Sequence, residues 1–238
     1  MSSWQLKAAW WAWVLVAALC AGLASLGLWQ LGRAHAKESL LAAYLEAQSR
    51  PATELRGAPP APGEVRKVVL RGTYLADRQL LLDNQTLHQR PGYHAWTALR
   101  RADGALVMVD RGWLPEAADR NRRPAPATPA EPVEIEGYWR DLPRPGLRLG
   151  SNSCAGTAWP RTVQYPDAAE LACLYPGEKL AAGLLLLNPR AADGFAREWN
   201  LASTEVPPSR HYGYAVQWFA LALTLLALFL KINLKRIP

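Results

Sequence analysis

The sequence predicts a membrane protein with two transmembrane helices and an α+β outer domain built on an antiparallel, partly barrel-like sheet. Two uncharged runs carry the first half of that expectation: Ala8–Gly32 spans 25 residues and His211–Leu230 spans 20. At 1.5 Å per residue, either run crosses a hydrocarbon core of about 30 Å. The second half rests on the region between them, where short segments alternate apolar and polar residues and are separated by Pro- and Gly-rich stretches. The mean hydropathy of −0.10 over 238 residues blends these two populations and by itself reads as soluble.

The formal net charge of +7 is unevenly placed. Lys7 precedes the first run and Lys231, Lys235 and Arg236 follow the second. They place +4 beside the spans and leave +3 on residues 33–210, where all 20 acidic residues lie. Such an excess fits positive-inside anchoring. No basic stripe with interleaved aromatics occurs, which argues against nucleic acid as a partner. The expected organisation is a cytoplasmic N-tail (1–9), a first transmembrane helix (10–32) and an extracytoplasmic α+β domain (33–210). A second transmembrane helix (211–231) and a cytoplasmic basic tail (232–238) follow. Arg33 and Lys37 lie on the outer side against the simple rule, but a long loop translocates largely regardless of charge.

The first run exceeds the length of a signal-peptide core, and bulky Leu19 precedes Cys20 where a lipoprotein site needs a small residue, so an uncleaved anchor is expected. Arginine outnumbers lysine 21 to 6 and alanine is abundant. That bias fits a bacterium with a GC-rich genome.

Taken in order, Trp4, Trp10, Trp11 and Trp13 crowd the inner end of the first span and Trp29 marks its outer end, an aromatic-belt placement. Ala18, Gly22 and Ser25 form a small-residue stripe that is expected to admit the second span. Leu40, Leu41, Tyr44 and Leu45 continue the helical pattern until Pro51 ends it. Residues 51–63 read as a linker. Val65–Leu75 and Gln79–Asn84 read as strands. Tyr93–Arg100 and Ala105–Trp113 read as a hairpin around Arg101-Ala102-Asp103-Gly104. The Pro-rich stretch 115–132 leads to a strand at Val133–Arg140, and residues 141–160, including the turn-like Gly150–Ser153, read as irregular. Arg161–Tyr165 is a short strand. Asp167 caps a helix through Leu174 that Pro176-Gly177 stops, and Leu184–Asn188 is a last strand.

Three cysteines are too few for a disulfide framework. Cys20 lies in the first span. Cys154 and Cys173 face an oxidising compartment and either pair or remain thiols. No Cys-x-x-Cys or His-plus-Cys spacing points to a structural metal site.

His211 stands where the second span meets the outer surface, with Tyr214, Ala215, Trp218 and Ala222 on roughly the same helical face. Imidazole can ligate a haem iron, and a histidine here can equally be an interfacial residue that wets the helix end. On the first span, Trp29, Arg33 and Lys37 are spaced i, i+4, i+8, with Gln30 beside them. Tryptophan can stack on a flat ring and arginine can clamp a carboxylate, although interface anchoring explains the same residues. His88 and His94 have no acidic residue at a telling spacing. Gly-x-Ser-x-Gly, His-Glu-x-x-His and phosphate-binding loops are absent, so no catalytic residue is expected. Asp110 and Arg111, at a strand end, read as bracing a loop.

Five segments carry a resemblance. Leu26-Gly27-Leu28-Trp29-Gln30-Leu31-Gly32-Arg33, followed by Lys37 and Leu40-Leu41, resembles the N-terminal signature of the Surfeit-locus cytochrome c oxidase assembly family. Arg71-Gly72-Thr73-Tyr74 resembles its first strand motif. Pro91-Gly92-Tyr93 and Val109-Asp110-Arg111-Gly112-Trp113-Leu114-Pro115 resemble its Pro-Gly-Tyr and Arg-Gly-Trp segments. His211-Tyr212-Gly213-Tyr214-Ala215-Val216-Gln217-Trp218-Phe219 resembles its C-terminal signature. The matches lie in order along residues 26–219, departing from the family's usual residues at Asp110 and Arg210.

The resemblance implies a bacterial inner-membrane protein with its large domain in the periplasm, a non-enzymatic assembly factor that handles haem a for subunit I of a haem–copper oxidase. His211 is then the haem ligand, with Tyr214, Trp218 and Trp29 around the ring and Arg33 on a propionate. Arg111, Gly112 and Trp113 are the expected partner-binding segment. Subunit I, haem a synthase and membrane lipid are the expected partners. The alternative is a haem-free scaffold for subunit I or for the synthase.

Overall fold

The computed structural model describes residues 3–6, 8–57, 59–117, 123–143, 154–155, 158–199 and 207–237. In chain order the elements are β1 (Ser3–Leu6), α1 (Trp10–Ser49), β2 (Thr53–Glu54), β3 (Arg66–Leu87), β4 (Arg90–Arg101) and β5 (Leu106–Pro115). Then come β6 (Val133–Arg140), β7 (Arg161–Val163), α2 (Ala168–Leu174), β8 (Leu180–Leu187), α3 (Pro208–Asn233) and β9 (Leu234–Ile237). They sort into two compact units, residues 43–199 and the remainder at both ends of the chain.

In the terminal unit, α1 and α3 are both long and apolar enough to cross a membrane. Only 6% of each apolar window is buried, unlike the core helix of a soluble fold. Pro208 opens α3, at a position where its missing N–H costs nothing. α1 meets α3 at Cys20, Gly27 and Gln30, and with Val16, Leu23 and Ala34 these positions form a less exposed stripe that alternates three- and four-residue steps. Trp13 meets Phe229 edge-on with ring centroids 4.8 Å apart, and the Cys20 thiol donates to the Ala222 carbonyl at 3.6 Å.

The close approach falls at Gly27, where a Cβ would lie 2.7 Å from the Phe219 ring. The expected stripe is thereby corrected. Gly22 has open space around it, Ala18 is exposed, and Ser25 bonds its own helix at the Ala21 carbonyl. The bulky Phe219 ring needs a gap in the facing helix, and Gly27 supplies it. At the other end, β1 and β9 pair antiparallel, Ser3 opposite Ile237 and Leu6 opposite Leu234.

The central unit is a seven-stranded mixed sheet of order β2-β3-β4-β5-β8-β6, with β7 on β3. Three pairings are parallel, β2–β3, β3–β7 and β5–β8, so the expectation of an antiparallel sheet holds only in part. The reason is the route of the chain. After β5 it runs through residues 116–132 to β6, leaving a slot beside β5 that β8 later fills, parallel to β5 and antiparallel to β6. β6 also pairs with the first half of β3, so the ladder from β3 through β4, β5, β8 and β6 returns to β3.

The two strands expected at 65–75 and 79–84 form one strand, β3, with breaks in register between Tyr74 and Gln79 and between Leu82 and Gln85. At the first break the Gln79 amide donates to the Ala76 and Pro126 carbonyls. A two-residue turn at His88-Gln89, both with positive φ (48° and 64°), joins β3 to β4. The β4–β5 hairpin turns at Arg101–Gly104 as expected, closed by a 3.0 Å bond from Gly104 N to Arg101 O. The expected linker contains the short strand β2. The final strand begins at Leu180, four residues before its expected start.

Alternate residues of each strand build the core: Val68, Leu70 and Tyr74 from β3, Leu99 from β4, Val107 and Val109 from β5, Ile135 and Trp139 from β6, Leu185 and Leu187 from β8. Burying each large side chain stabilises the fold by about 1.5–3 kcal/mol. β5 is buried on both faces from Leu106 to Trp113, as a central strand should be. Asp167 caps α2 through a reciprocal box with Glu170, as its position predicts. Cys154 and Cys173 are disulfide-bonded, with Cα atoms 5.9 Å apart, which settles the open alternative. Most of residues 141–160, Gly150–Ser153 among them, lies outside the described residues.

Candidate functional site

At the start of α3, His211 is 8% exposed and lies against α1. Its Nδ1 is 2.6 Å from the Gln30 Oε1 atom. When that oxygen accepts, Nδ1 carries the proton and Nε2 the lone pair. That Nε2 is buried without a hydrogen-bond partner. An imidazole held at one nitrogen with the other unsatisfied is the form in which histidine ligates iron. The donor chemistry therefore fits a haem ligand. Beside it, the Tyr212 hydroxyl donates to Glu38 Oε2 at 2.9 Å and the His35 ring meets Tyr212 edge-on at 6.0 Å.

The other expected ring contacts are placed differently. Trp29 is 57% and Tyr214 43% exposed, Arg33 is exposed, and Trp218 is half-buried. Trp29 and Arg33 each precede a contact-face residue, Gln30 and Ala34, and one residue turns a helix by about 100°. The structure thus brings Gln30, not Trp29 or Arg33, onto His211. Among the described residues, no group of three or more His, Cys, Asp or Glu side chains forms a metal site.

In the central unit, β5 ends in a dense polar knot. Asp110 accepts from His94 Nδ1 at 2.9 Å, from Trp96 Nε1 at 3.0 Å and from the Gly112 N–H at 3.0 Å. Burial of the ring lowers the His94 pKa, but the charge and hydrogen bond of Asp110 together outweigh it and leave it above the usual histidine value. The ring also lies 5.6 Å from that of Trp199. His88 pairs with Glu198 at 2.9 Å. Both acidic partners are distant in sequence, so spacing alone does not reveal them.

Arg111 is 1% exposed. Its guanidinium lies between the Tyr74 and Phe195 rings, 4.9 and 5.2 Å from their centroids. It bonds Asp193 at 2.6 Å and Thr128 at 3.2 Å. Burial pushes the Tyr74 hydroxyl pKa well up, against the pull of the Arg111 charge. Gly112 has φ 111°, and a Cβ there would lie 2.7 Å from the Ala196 carbonyl. Trp113 is 9% exposed; its backbone N–H donates to Ala196 O at 2.7 Å and its indole to Gln85 O at 3.0 Å. The three residues expected to dock a partner are therefore turned inward. They hold the loop through Asp193–Trp199, and for Arg111 this is the bracing role that its strand-end position predicts.

A family model described as the SURF1 family matches residues 17–223. A SURF1-like protein of Rickettsia bellii (strain RML369-C) is 25% identical over 217 residues, covering 87% of this chain and 84% of its own. A SURF1-like protein of Rickettsia conorii (strain ATCC VR-613 / Malish 7) is 25% identical over 221 residues, covering 87% and 85%. Another, from Monosiga brevicollis, is 30% identical over 128 residues, 48% of this chain and 49% of that one. The matched region takes in most of α1, the whole sheet and His211 with the greater part of α3, and the chain belongs to the SURF1 family.

Proposed function

We propose that this protein is a membrane-anchored assembly factor for haem–copper cytochrome c oxidase that holds haem a on its way into subunit I. Family membership supports the link to oxidase assembly, and one observation carries the haem reading: the buried, unpartnered Nε2 of His211, whose Nδ1 is engaged by Gln30. Haem a is cargo in this reading, its iron accepting the imidazole lone pair. Tyr214, Trp218 and Trp29 offer flat rings on the neighbouring helical faces, and Arg33 offers a guanidinium to a propionate. No residue is assigned a catalytic role.

The topology proposed is a cytoplasmic N-tail (1–9), spans at 10–32 and 211–231, a periplasmic domain at 33–210 and a cytoplasmic tail at 232–238, in a bacterial inner membrane. The basic ends support that orientation, and the Cys154–Cys173 disulfide supports an oxidising compartment for the domain. Subunit I is the proposed recipient and haem a synthase the proposed donor, with the Asp193–Trp199 loop as the docking surface that Arg111, Gly112 and Trp113 hold in shape.

The test is purification from a host that makes haem a. Haem is expected to co-purify with the wild-type chain and to be lost from His211→Ala. Absent haem, or a spectrum unchanged by the substitution, sinks the ligation proposal. The outward placement of Trp29 and Tyr214 favours one second reading, a haem-free scaffold. Under it, His211→Ala retains subunit I on co-purification and the haem content is negligible throughout.

A further inference from the structure

Gln30 stands on a helix face that is otherwise apolar or small: Val16, Cys20, Leu23 and Gly27 precede it and Ala34 follows. An amide on such a face, in a helix with an apolar run this long, is costly unless it finds a partner. Its partner lies 181 residues away in sequence, the Nδ1 of His211 at 2.6 Å. The small residues on either side complete the arrangement. Gly27, about one turn earlier, leaves room for the Phe219 ring, and Ala34, about one turn later, is fully buried. The Gly27–Phe219 contact, one turn away, keeps the two helices together where the amide meets the imidazole.

Two tautomers of a neutral histidine differ in which nitrogen bears the proton. Nδ1 faces the oxygen of Gln30, so the proton belongs on Nδ1 and Nε2 is left as the donor to a metal. Without that acceptor the ring is free to carry its proton on Nε2 and to rotate about its side-chain bonds.

We propose that Gln30 is the positioning residue for His211, holding the imidazole in the Nδ1–H tautomer and in one orientation so that Nε2 is the atom presented to iron. This rests on the haem-carrying reading above, and its test is chosen to separate the two.

The full-length protein, labelled with ring-¹⁵N histidine and held in detergent micelles, carries four histidines, and His211→Ala assigns the signal of interest. The wild type is expected to show a protonated Nδ1 and an unprotonated Nε2. Gln30→Leu, similar in size but without an acceptor, is expected to move the proton to Nε2. Gln30→Glu, which keeps an acceptor oxygen, is expected to retain the wild-type pattern. Titration with haem a should then give an affinity at least about tenfold weaker for Gln30→Leu and within a few-fold of wild type for Gln30→Glu.

A wild-type spectrum with the proton on Nε2 overturns the proposal outright, because it means the amide presents its N–H₂ to the ring. So does a tautomer, or a haem affinity, that Gln30→Leu leaves unchanged. If Gln30→Leu does not fold, the wild-type and Gln30→Glu spectra still decide the tautomer. Should the tautomers behave as stated while the wild type binds no haem, the hold of Gln30 on the ring is supported and the haem-carrying reading alone fails.

Discussion

The Arg111 guanidinium lies 2.6 Å from the Asp193 carboxylate and between two aromatic rings, closing the end of the sheet core over the loop that precedes Trp199. The arginine side chain is 1% exposed and the aspartate 27%. Removing one member of such a pair strands a charge in a poorly solvated place. Arg111→Met should destabilise the central unit by about 3–5 kcal/mol. Limited proteolysis of the full-length protein checks it, with cleavage expected first between residues 189 and 199. A double-mutant cycle with Asp193→Asn should return a coupling well above the error; additive effects would mean the pair contributes nothing.

The His94–Asp110 pair makes stability depend on pH. The folded histidine has its pKa raised relative to an unfolded one, because Asp110 outweighs burial. Its contribution is therefore complete below about pH 6.5, the unfolded value. It is lost as pH rises through the higher folded value. Unfolding midpoints measured from pH 5 to 9 should fall across that window. Asp110→Asn should flatten the slope; a slope that survives it assigns the effect elsewhere.

The helix pair can be read by cross-linking. The Cys20 thiol lies 3.6 Å from the carbonyl of Ala222, so Ala222→Cys should form a disulfide with Cys20 under mild oxidation. Gly27→Ile sets a branched side chain where a single Cβ already meets the Phe219 ring at 2.7 Å. It should weaken packing by about 1–3 kcal/mol and slow the cross-link several-fold. Non-reducing electrophoresis gives both readings, and an undiminished rate would place the helix contact elsewhere.

Cys154 and Cys173 are 19 residues apart in sequence, and closing a loop of that order stabilises a fold by about 3 kcal/mol. Cys154→Ser should lower the unfolding midpoint accordingly. Thiol alkylation of cells, with and without reductant, should find the pair oxidised in the wild type. Free thiols at both positions in whole cells contradict a periplasmic domain.

Elements whose cause is local are legible in the amino-acid sequence. The strand Val133–Arg140 and the helix after Asp167 fall at their expected residues, because alternation and a capping box act over a few positions. Pro51 ends the first helix within two residues, for the same reason. The hairpin turn at His88-Gln89 is not legible, since neither residue is a usual choice for positive φ. The parallel placement of β8 beside β5 is not legible either. It depends on a chain path, not on any pattern within the strand.

The candidate site divides along the same line. The order of residues alone establishes two long apolar runs, basic residues beside them and a histidine at the start of the second, because charge and hydropathy along the chain need no knowledge of what folds against what. Which helix face meets the other is decided by packing, since Phe219 finds its gap at Gly27 and not at Gly22. That choice of face brings Gln30 onto His211 and turns Trp29 outward. In the sheet, Arg111 carries the same charge in either view, but its burial against Asp193 makes it a brace for a loop. Long-range contacts are set by how complementary surfaces fill space, and that information is spread over residues more than 80 positions apart.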